Sequence, residues 1–205
     1  MYRTSSMSIR PLAAACLLLL AGCAIPANKD GKGTADLRNA DAARFASQAE
    51  KALRDKDYAK AEEFGRKAIE SAPDLAGAWN NFGVALMEQQ KYMDAAQSFK
   101  RAADLTPTDP TPYENLGLVY FRAGFDDEAL RWYGESLNRD PNWLPSLRGA
   151  VACSQRLHKS DEATLERTKR GLMLERNTEW REFFERHKLR VEADLEERKK
   201  NGGKS

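Results

Sequence analysis

The sequence has few of the residues that build catalytic or metal sites. Its 205 residues include 3 cysteines and 2 histidines. Cys16 and Cys23 lie in an apolar N-terminal segment, so Cys153 is the only cysteine in the rest of the chain. It has no partner for an internal disulfide, and its small apolar neighbours predict burial; an intermolecular disulfide is the alternative. No cysteine, histidine or carboxylate at ligand spacing stands out beside His158 or His187, so we expect solvent-edge side chains and no metal or cofactor.

The chain also lacks a strong charge of either sign and the motifs of common enzymes. Its formal net charge is +2, and Arg3 and Arg10 in the leader account for that excess. A near-neutral remainder gives no electrostatic reason to expect nucleic acid as a partner. No glycine-rich phosphate loop follows a predicted strand, and no nucleophile-elbow pattern occurs. Residues 126–128 are acidic and are best explained as the first turn of a helix. We therefore predict that the protein is not an enzyme.

The N-terminus has the features of an export signal. Arg3 and Arg10 precede an apolar run at residues 12–20, which is too short to span a bilayer comfortably. The run ends in Leu-Ala-Gly-Cys at residues 20–23 and resembles the lipobox of bacterial lipoproteins. That resemblance implies a signal peptide over residues 1–22, cleavage before Cys23 and lipidation of Cys23. An ordinary signal peptide and an uncleaved anchor are the alternatives.

The residues after Cys23 predict where the protein is held and how. Two or more acyl chains anchor a protein stably to a membrane. Ala24 stands where aspartate would resemble a signal for retention in the inner membrane. In a Gram-negative host this implies the periplasmic face of the outer membrane. Proline, glycines and few apolar residues then predict a flexible tether over residues 23–38.

The strongest pattern in the chain is a repeat of about 34 residues. It predicts units at about 42–75, 76–109 and 110–143, followed by a degenerate unit at 144–176. Proline, alanine, an aromatic residue and glycine each recur in their own column. The matching residues are Pro73, Pro107 and Pro141; Ala61, Ala95 and Ala129; Phe45, Trp79 and Tyr113; and Gly83 and Gly117.

Each unit is expected to be a pair of antiparallel helices. Trp79, Phe82, Gly83 and Leu86 share one helical face. Glycine inside a helix costs about 1 kcal/mol relative to alanine, so its recurrence calls for close helix packing. Helix starts are predicted after Asp74, Asp109 and Asn142. The whole pattern resembles the tetratricopeptide repeat (TPR), which implies an all-α solenoid with three clear repeats and a degenerate fourth.

Two regions depart from the repeat. The first unit has Gln48 where an apolar residue is expected and Gly65 where a large aromatic is expected. No proline closes the fourth unit, which is typical of a capping repeat. Residues 177–205 predict a charged C-terminal helix with an apolar stripe. We expect its front half to cap the stack and its rear half to fray; a partner-binding or coiled-coil helix and a membrane-surface helix are the alternatives. The stripe comprises Trp180, Phe184, Val191 and Leu195.

The TPR resemblance implies a concave groove lined by the first helix of each repeat. Apolar, amide and charged side chains there would contact a bound protein, and the arginines would engage a carboxylate. Some TPR domains hold a C-terminal carboxylate with lysine and asparagine, but Ala46 and Glu50 stand at those places, so an internal segment or a folded surface fits better. The predicted groove residues are Asn80, Asn81, Val84, Met87, Glu114, Asn115, Leu118, Phe121, Arg122 and Arg148.

A lipid anchor joined to such a groove indicates a scaffold that binds another protein. TPR lipoproteins of this length resemble the pilotins of type IV pili and the accessory lipoproteins of Tad-type pilus loci. The resemblance implies an assembly factor for a pilus or secretion system, with a peptide segment or folded subunit of that complex as partner. The alternative is a protein that localises or regulates a cell-wall or exopolysaccharide enzyme.

Overall fold

The computed structural model describes residues 32–202, which are helical throughout except for short turns. Residues 1–31 and 203–205, including the predicted signal peptide and Cys23, lie outside the described residues. The predicted all-α class is confirmed. The helices are α1 (Lys32–Arg54), α2 (Tyr58–Ser71), α3 (Ala76–Glu88), α4 (Tyr92–Leu105), α5 (Pro110–Arg122), α6 (Asp126–Arg139), α7 (Leu144–Arg156), α8 (Glu162–Leu174) and α9 (Thr178–Gly202).

The helices stack as consecutive hairpins with an inner and an outer face. Each helix packs on the next along the chain. The odd-numbered helices α1, α3, α5, α7 and α9 also contact one another in series, whereas the even-numbered helices of residues 32–202 do not. Because the odd-numbered helices touch one another and the even-numbered helices are spread apart, the stack curves with the odd-numbered helices on its inner face. This is the predicted TPR solenoid.

The recurring glycines let aromatic rings enter the helix contacts. A Cβ atom at Gly83 would lie 2.7 Å from Cε1 of Phe99, and one at Gly117 would lie 2.6 Å from Cδ1 of Tyr133. Tyr133 also packs against Gly149 on the next odd-numbered helix, so its ring joins α5 to α7. The alanine column at Ala61, Ala95 and Ala129 is fully buried. Small residues therefore recur because each hairpin has to admit a large ring.

The first hairpin differs from its sequence-based prediction at both ends. Helix α1 begins at Lys32, so the predicted tether is wrong for residues 32–38. After Gly33 the chain has no further glycine or proline up to Arg54, and alanine, leucine and arginine favour a helix there. Gly65 on α2 is explained by its neighbour, because a Cβ there would lie 3.1 Å from Cβ of Phe82. The next repeat thus fills the place of the missing aromatic.

Only one of the predicted helix caps is correct. Asp109 precedes α5, and its side chain accepts a hydrogen bond from the Thr111 N–H at 2.9 Å. Helices α3 and α7 instead follow Leu75 and Trp143, without a side-chain cap. The reason is register: Leu75 and Trp143, not Asp74 and Asn142, occupy the repeat position of Asp109. Backbone hydrogen bonds close the turns before these helices. For example, the Leu75 N–H donates to the Ala72 carbonyl.

Helix α9 caps the stack along its length. It packs on α8 and α7, with Phe184 and Val191 fully buried and the Phe184 ring against Gly171. The predicted fraying of the rear half is wrong, because Asp194 accepts a hydrogen bond from the Ser160 hydroxyl and Arg198 donates to the Ser160 carbonyl at 2.7 Å. These polar contacts attach the rear half of α9 to the turn before α8. The apolar stripe does not predict them, because they involve only polar and charged groups.

Candidate partner-binding surface

All of the predicted groove residues lie on odd-numbered helices, but their exposure differs. Helix α3 carries Asn80, Asn81, Val84 and Met87; α5 carries Glu114, Asn115, Leu118, Phe121 and Arg122; α7 carries Arg148. Most are half-buried, which leaves part of each side chain open on the inner face. Two of them, Met87 and Asn115, are buried.

The apolar members divide into core and surface. Met87 is 3% exposed and belongs to the core between α3, α4 and α5, so its predicted role in partner contact is wrong. Its flexible thioether fills the core instead. Val84 and Leu118 pack against the same core but remain half-buried. Phe121 is half-buried beneath the guanidinium of Arg156, which lies 4.4 Å from the ring centre. Val84, Leu118 and Phe121 are therefore the apolar surface of the inner face.

The amides predicted to bind a peptide backbone bind each other. Nδ2 of Asn115 donates to Oδ1 of Asn80 at 2.7 Å, which links α5 to α3. A buried amide needs such a partner, because an unpaired one costs about 1–3 kcal/mol. Asn115 therefore stabilises the stack. Asn80 and Asn81 are half-buried, so part of the amide surface of α3 still faces the groove.

Neither predicted arginine anchor is free to take a carboxylate from a partner. Arg122 on α5 is paired with Glu88 on α3 at 2.8 Å. Arg148 on α7 forms two hydrogen bonds with the Glu175 carboxylate, at 2.7 and 2.8 Å, and lies over the Trp180 ring. Both arginines bridge neighbouring helices. Residue type alone could not show these pairings, because the acids lie 27 and 34 residues away along the chain.

Glu175 is held ionised although it is buried. Burial raises the pKa of this carboxyl, but hydrogen bonds from the Asn177 N–H, Arg148 and the Arg176 N–H outweigh it and leave the pKa below its usual value. The side chain is 2% exposed. A charge buried this deeply depends on its partner, so the pair fixes the junction of α7 with the start of α9.

Glu114 is the one charged groove residue for which the described residues provide no ion pair or hydrogen bond. It lies half-buried on α5, next to the Asn115–Asn80 hydrogen bond. Burial raises the pKa of its carboxyl to about 7. Its carboxylate also acts on the phenol of Tyr133, which places it near the junction of α5 and α7. Such a group favours a cation, because a basic side chain would supply the missing charge partner.

A cleft between α7 and α9 was missed by the sequence analysis. It has a volume of about 230 Å³ and is lined by Gln155, Phe183, Arg186, His187 and Arg190. His187 is 4% exposed, so its predicted place at the solvent edge is wrong. Burial and the nearby Arg190 lower the pKa of His187 to about 4. The sequence signal that could have found this cleft is the group Arg186, His187 and Arg190 beside the apolar stripe of α9.

A larger cavity lies on the outer face, not in the groove. It has a volume of about 960 Å³ and opens between α6 and α8, with Trp132, Arg131 and Arg167 among its lining residues. A second opening, of about 650 Å³, separates α2 from α4. Both follow from the divergence of the even-numbered helices. Their wide mouths make them surface gaps between repeats.

Residues 32–202 form no metal-binding cluster, and their single thiol is buried. Within residues 32–202 no group of histidine, cysteine or carboxylate side chains could hold a metal ion. Cys153 is fully buried as predicted, and burial raises the pKa of its thiol to about 12. Across the same residues, no helix is both apolar and long enough to cross a bilayer.

Comparison with known proteins agrees with this geometry. Residues 83–124 match the family model of the TPR repeat. This match identifies a TPR repeat in residues 83–124, and the curved stack of helical hairpins has the TPR solenoid fold.

Two curated relatives and one solved structure show what the chain is similar to. It is 32% identical over 131 residues to the type IV pilus assembly protein PilF of Pseudomonas aeruginosa, covering 63% of this chain and 48% of that protein. It is 30% identical over 87 residues to cellulose synthase operon protein C of Komagataeibacter xylinus, covering 40% of this chain and 7% of the relative. The crystal structure of MamA superposes with a TM-score of 0.60 at 19% identity, over 70% of this chain and 85% of MamA. The chain thus spans less than half the length of either relative.

Proposed function

We propose that the protein is a non-catalytic scaffold that binds a subunit of an envelope machine, such as a pilus or secretion system. The observation that carries this proposal is the inner face of α3, α5 and α7, where half-buried apolar side chains share the surface with the Glu114 carboxylate, which has no ion pair within residues 32–202. The similarity to PilF, whose name assigns it to type IV pilus assembly, supports the choice of machine. In this proposal acyl chains on Cys23 hold the scaffold on the periplasmic face of the outer membrane.

The partner is expected to present a basic side chain beside an apolar one. Leu118 and Phe121 give the inner face apolar area, and Glu114 lies on the same helix. The arginines of the groove are already paired, so an acidic segment would find no free cation on α3 or α5. A lysine or arginine of the partner would relieve the buried carboxylate and gain a charge-assisted hydrogen bond.

Capture from detergent-solubilised envelopes tests this scaffold role. The full chain should retain a pilus or secretion subunit, and Glu114→Gln should weaken the capture about tenfold or more, as expected for the loss of one charged hydrogen bond. Glu70→Gln is the matched control, since Glu70 is exposed on α2. Failure to retain any stable partner, or equal capture by both variants, would contradict the proposal.

Membrane attachment is tested separately with Cys23→Ala. Without an acyl acceptor the protein should leave the membrane fraction and keep its helices, because Cys23 lies outside the described stack. Membrane fractionation and circular dichroism measure the two effects. Retention of the variant in the membrane pellet would contradict lipid anchoring.

A second candidate is a localiser or regulator of an envelope enzyme. The similarity to cellulose synthase operon protein C favours an exopolysaccharide enzyme, and a cell-wall enzyme is the other form of this idea. The captured partner discriminates the two roles. If it is an enzyme whose turnover changes on adding the purified protein, this second role replaces the first.

A further inference from the structure

Two residues that line the cleft between α7 and α9 each have a buried nitrogen atom without a hydrogen-bond partner among residues 32–202. The two atoms are Nε2 of His187 and Nε of Arg190. Both residues line the cleft, together with Gln155 from α7. His187 is almost fully buried, so bulk water does not readily solvate its ring. Unpaired buried polar atoms of this kind are rare in folded proteins and need an explanation.

The contact between the two residues shows what kind of partner is missing. Nη2 of Arg190 lies 3.1 Å from Nδ1 of His187. Arginine can only donate, so Nδ1 of the neutral ring accepts, and the ring proton is assigned to Nε2. Nε of arginine is also a donor. Two residues that line the cleft therefore have N–H groups that need an acceptor.

The charge of the cleft has the sign that an acceptor anion requires. None of its lining residues is acidic. Arg190 forms no ion pair with any described residue, and Arg186 is paired only loosely with Glu182, at 3.6 Å. A half-buried guanidinium without a counter-ion is unfavourable, and an oxyanion would neutralise it. Guanidinium groups match the geometry of carboxylates through paired N–H donors.

We propose that this cleft binds one carboxylate group, carried by an acidic side chain of the partner protein. A volume of about 230 Å³ is smaller than the roughly 300–1,000 Å³ typical of small-molecule sites, so the cleft suits a single group. Gln155 can donate to the same group, and the Phe183 ring, stacked on His187, forms an apolar wall. The source of the carboxylate rests on the proposed scaffold role, but the site itself does not.

Acetate is the probe for the test, with the full chain in detergent micelles at constant ionic strength in chloride. Binding is followed through the His187 ring signals by NMR, because acetate should accept a hydrogen bond from Nε2–H. We expect a saturable shift in the wild-type chain. In Arg190→Gln the affinity for acetate should fall by a factor of about ten or more. Arg190→Lys keeps the charge but not the Nε donor, so it should bind more weakly than wild type if the glutamine variant does not fold.

Lys188→Gln is the matched control, because Lys188 is a cation of α9 that does not line the cleft. It should bind acetate as the wild type does. No saturable shift in the wild type, equal affinity in both Arg190 variants and wild type, or binding of inorganic phosphate without acetate would each overturn the carboxylate site. Acetate binding together with failed partner capture would reject the scaffold role and leave the site standing.

Discussion

The junction of α3 with α5 and the cleft between α7 and α9 are equivalent contacts of the same stack, yet they treat polar groups differently. At the first, Asn80 pairs with Asn115 and Glu88 pairs with Arg122. At the second, two buried N–H groups remain without acceptors. The partners of the first junction belong to the chain itself. The groups of the second are available to something else.

This difference separates stabilising residues from binding residues better than residue type does. Arg122 and Arg148 have the chemistry of anion anchors, but Arg122 is paired with Glu88 of α3 and Arg148 with Glu175 in the turn after α8. Arg190 has the same chemistry and no such acid among the described residues. A charged side chain can recruit a partner only where the fold has left its charge unpaired, because a paired ion must first break its bond.

The largest effect is expected from filling the space on α5 at Gly117 that admits the Tyr133 ring of α6. Gly117→Leu should destabilise the fold by about 3 kcal/mol or more, since even a Cβ would lie 2.6 Å from the Tyr133 ring. Gly134→Ala is the control: nothing lies within 4 Å of its added Cβ, and it should gain up to about 1 kcal/mol. Urea unfolding measures both. Unchanged stability of the leucine variant would reject this packing.

A smaller loss is expected from breaking a buried ion pair. Glu175→Gln leaves Arg148 without its charge partner and should cost about 2–3 kcal/mol at pH 7, whereas Arg122→Gln, in an exposed pair, should cost less than about 1 kcal/mol. The pKa of Glu175 is lowered on folding, so its contribution is fully present above the unfolded pKa, begins to fall below that value and is lost as the pH falls through the folded pKa. Urea unfolding at pH 7 and pH 3 should show the difference between Glu175→Gln and wild type shrinking at pH 3. A constant difference would contradict the ionised pair.

The smallest effect is expected at Glu114, and it has the opposite sign. Folding raises the pKa of this carboxyl to about 7, so the wild type loses stability as the pH rises from about 4.5 towards 7. Glu114→Gln should therefore be more stable than wild type by about 1–2 kcal/mol at pH 8 and equal to it near pH 4. Thermal unfolding across this range measures the difference. A variant that is no more stable at pH 8 would indicate an unrecognised counter-ion.

The fold could be predicted from the sequence because its rule is local and repeated. Gly83, Gly117 and the alanine column lie where helices pack closely, and each recurs after 34 residues along the sequence. The site was less predictable because ion pairs join residues far apart in the sequence, as in Arg122 with Glu88 from the preceding repeat. Burial of His187 was also missed, since it depends on how α9 lies against α7. Residue spacing predicts which side chains share a helix face. It does not predict which charged side chains are already paired in the folded protein.

Helix α9 has a consequence for assembly. Stacked hairpins present complementary surfaces at their two ends, and copies joined head to tail would grow into open filaments. Growth of that kind needs both ends to be free. By burying Phe184 and Val191 against the last hairpin, α9 removes one of them. A further hairpin therefore cannot stack directly on α7 and α8 while α9 covers them.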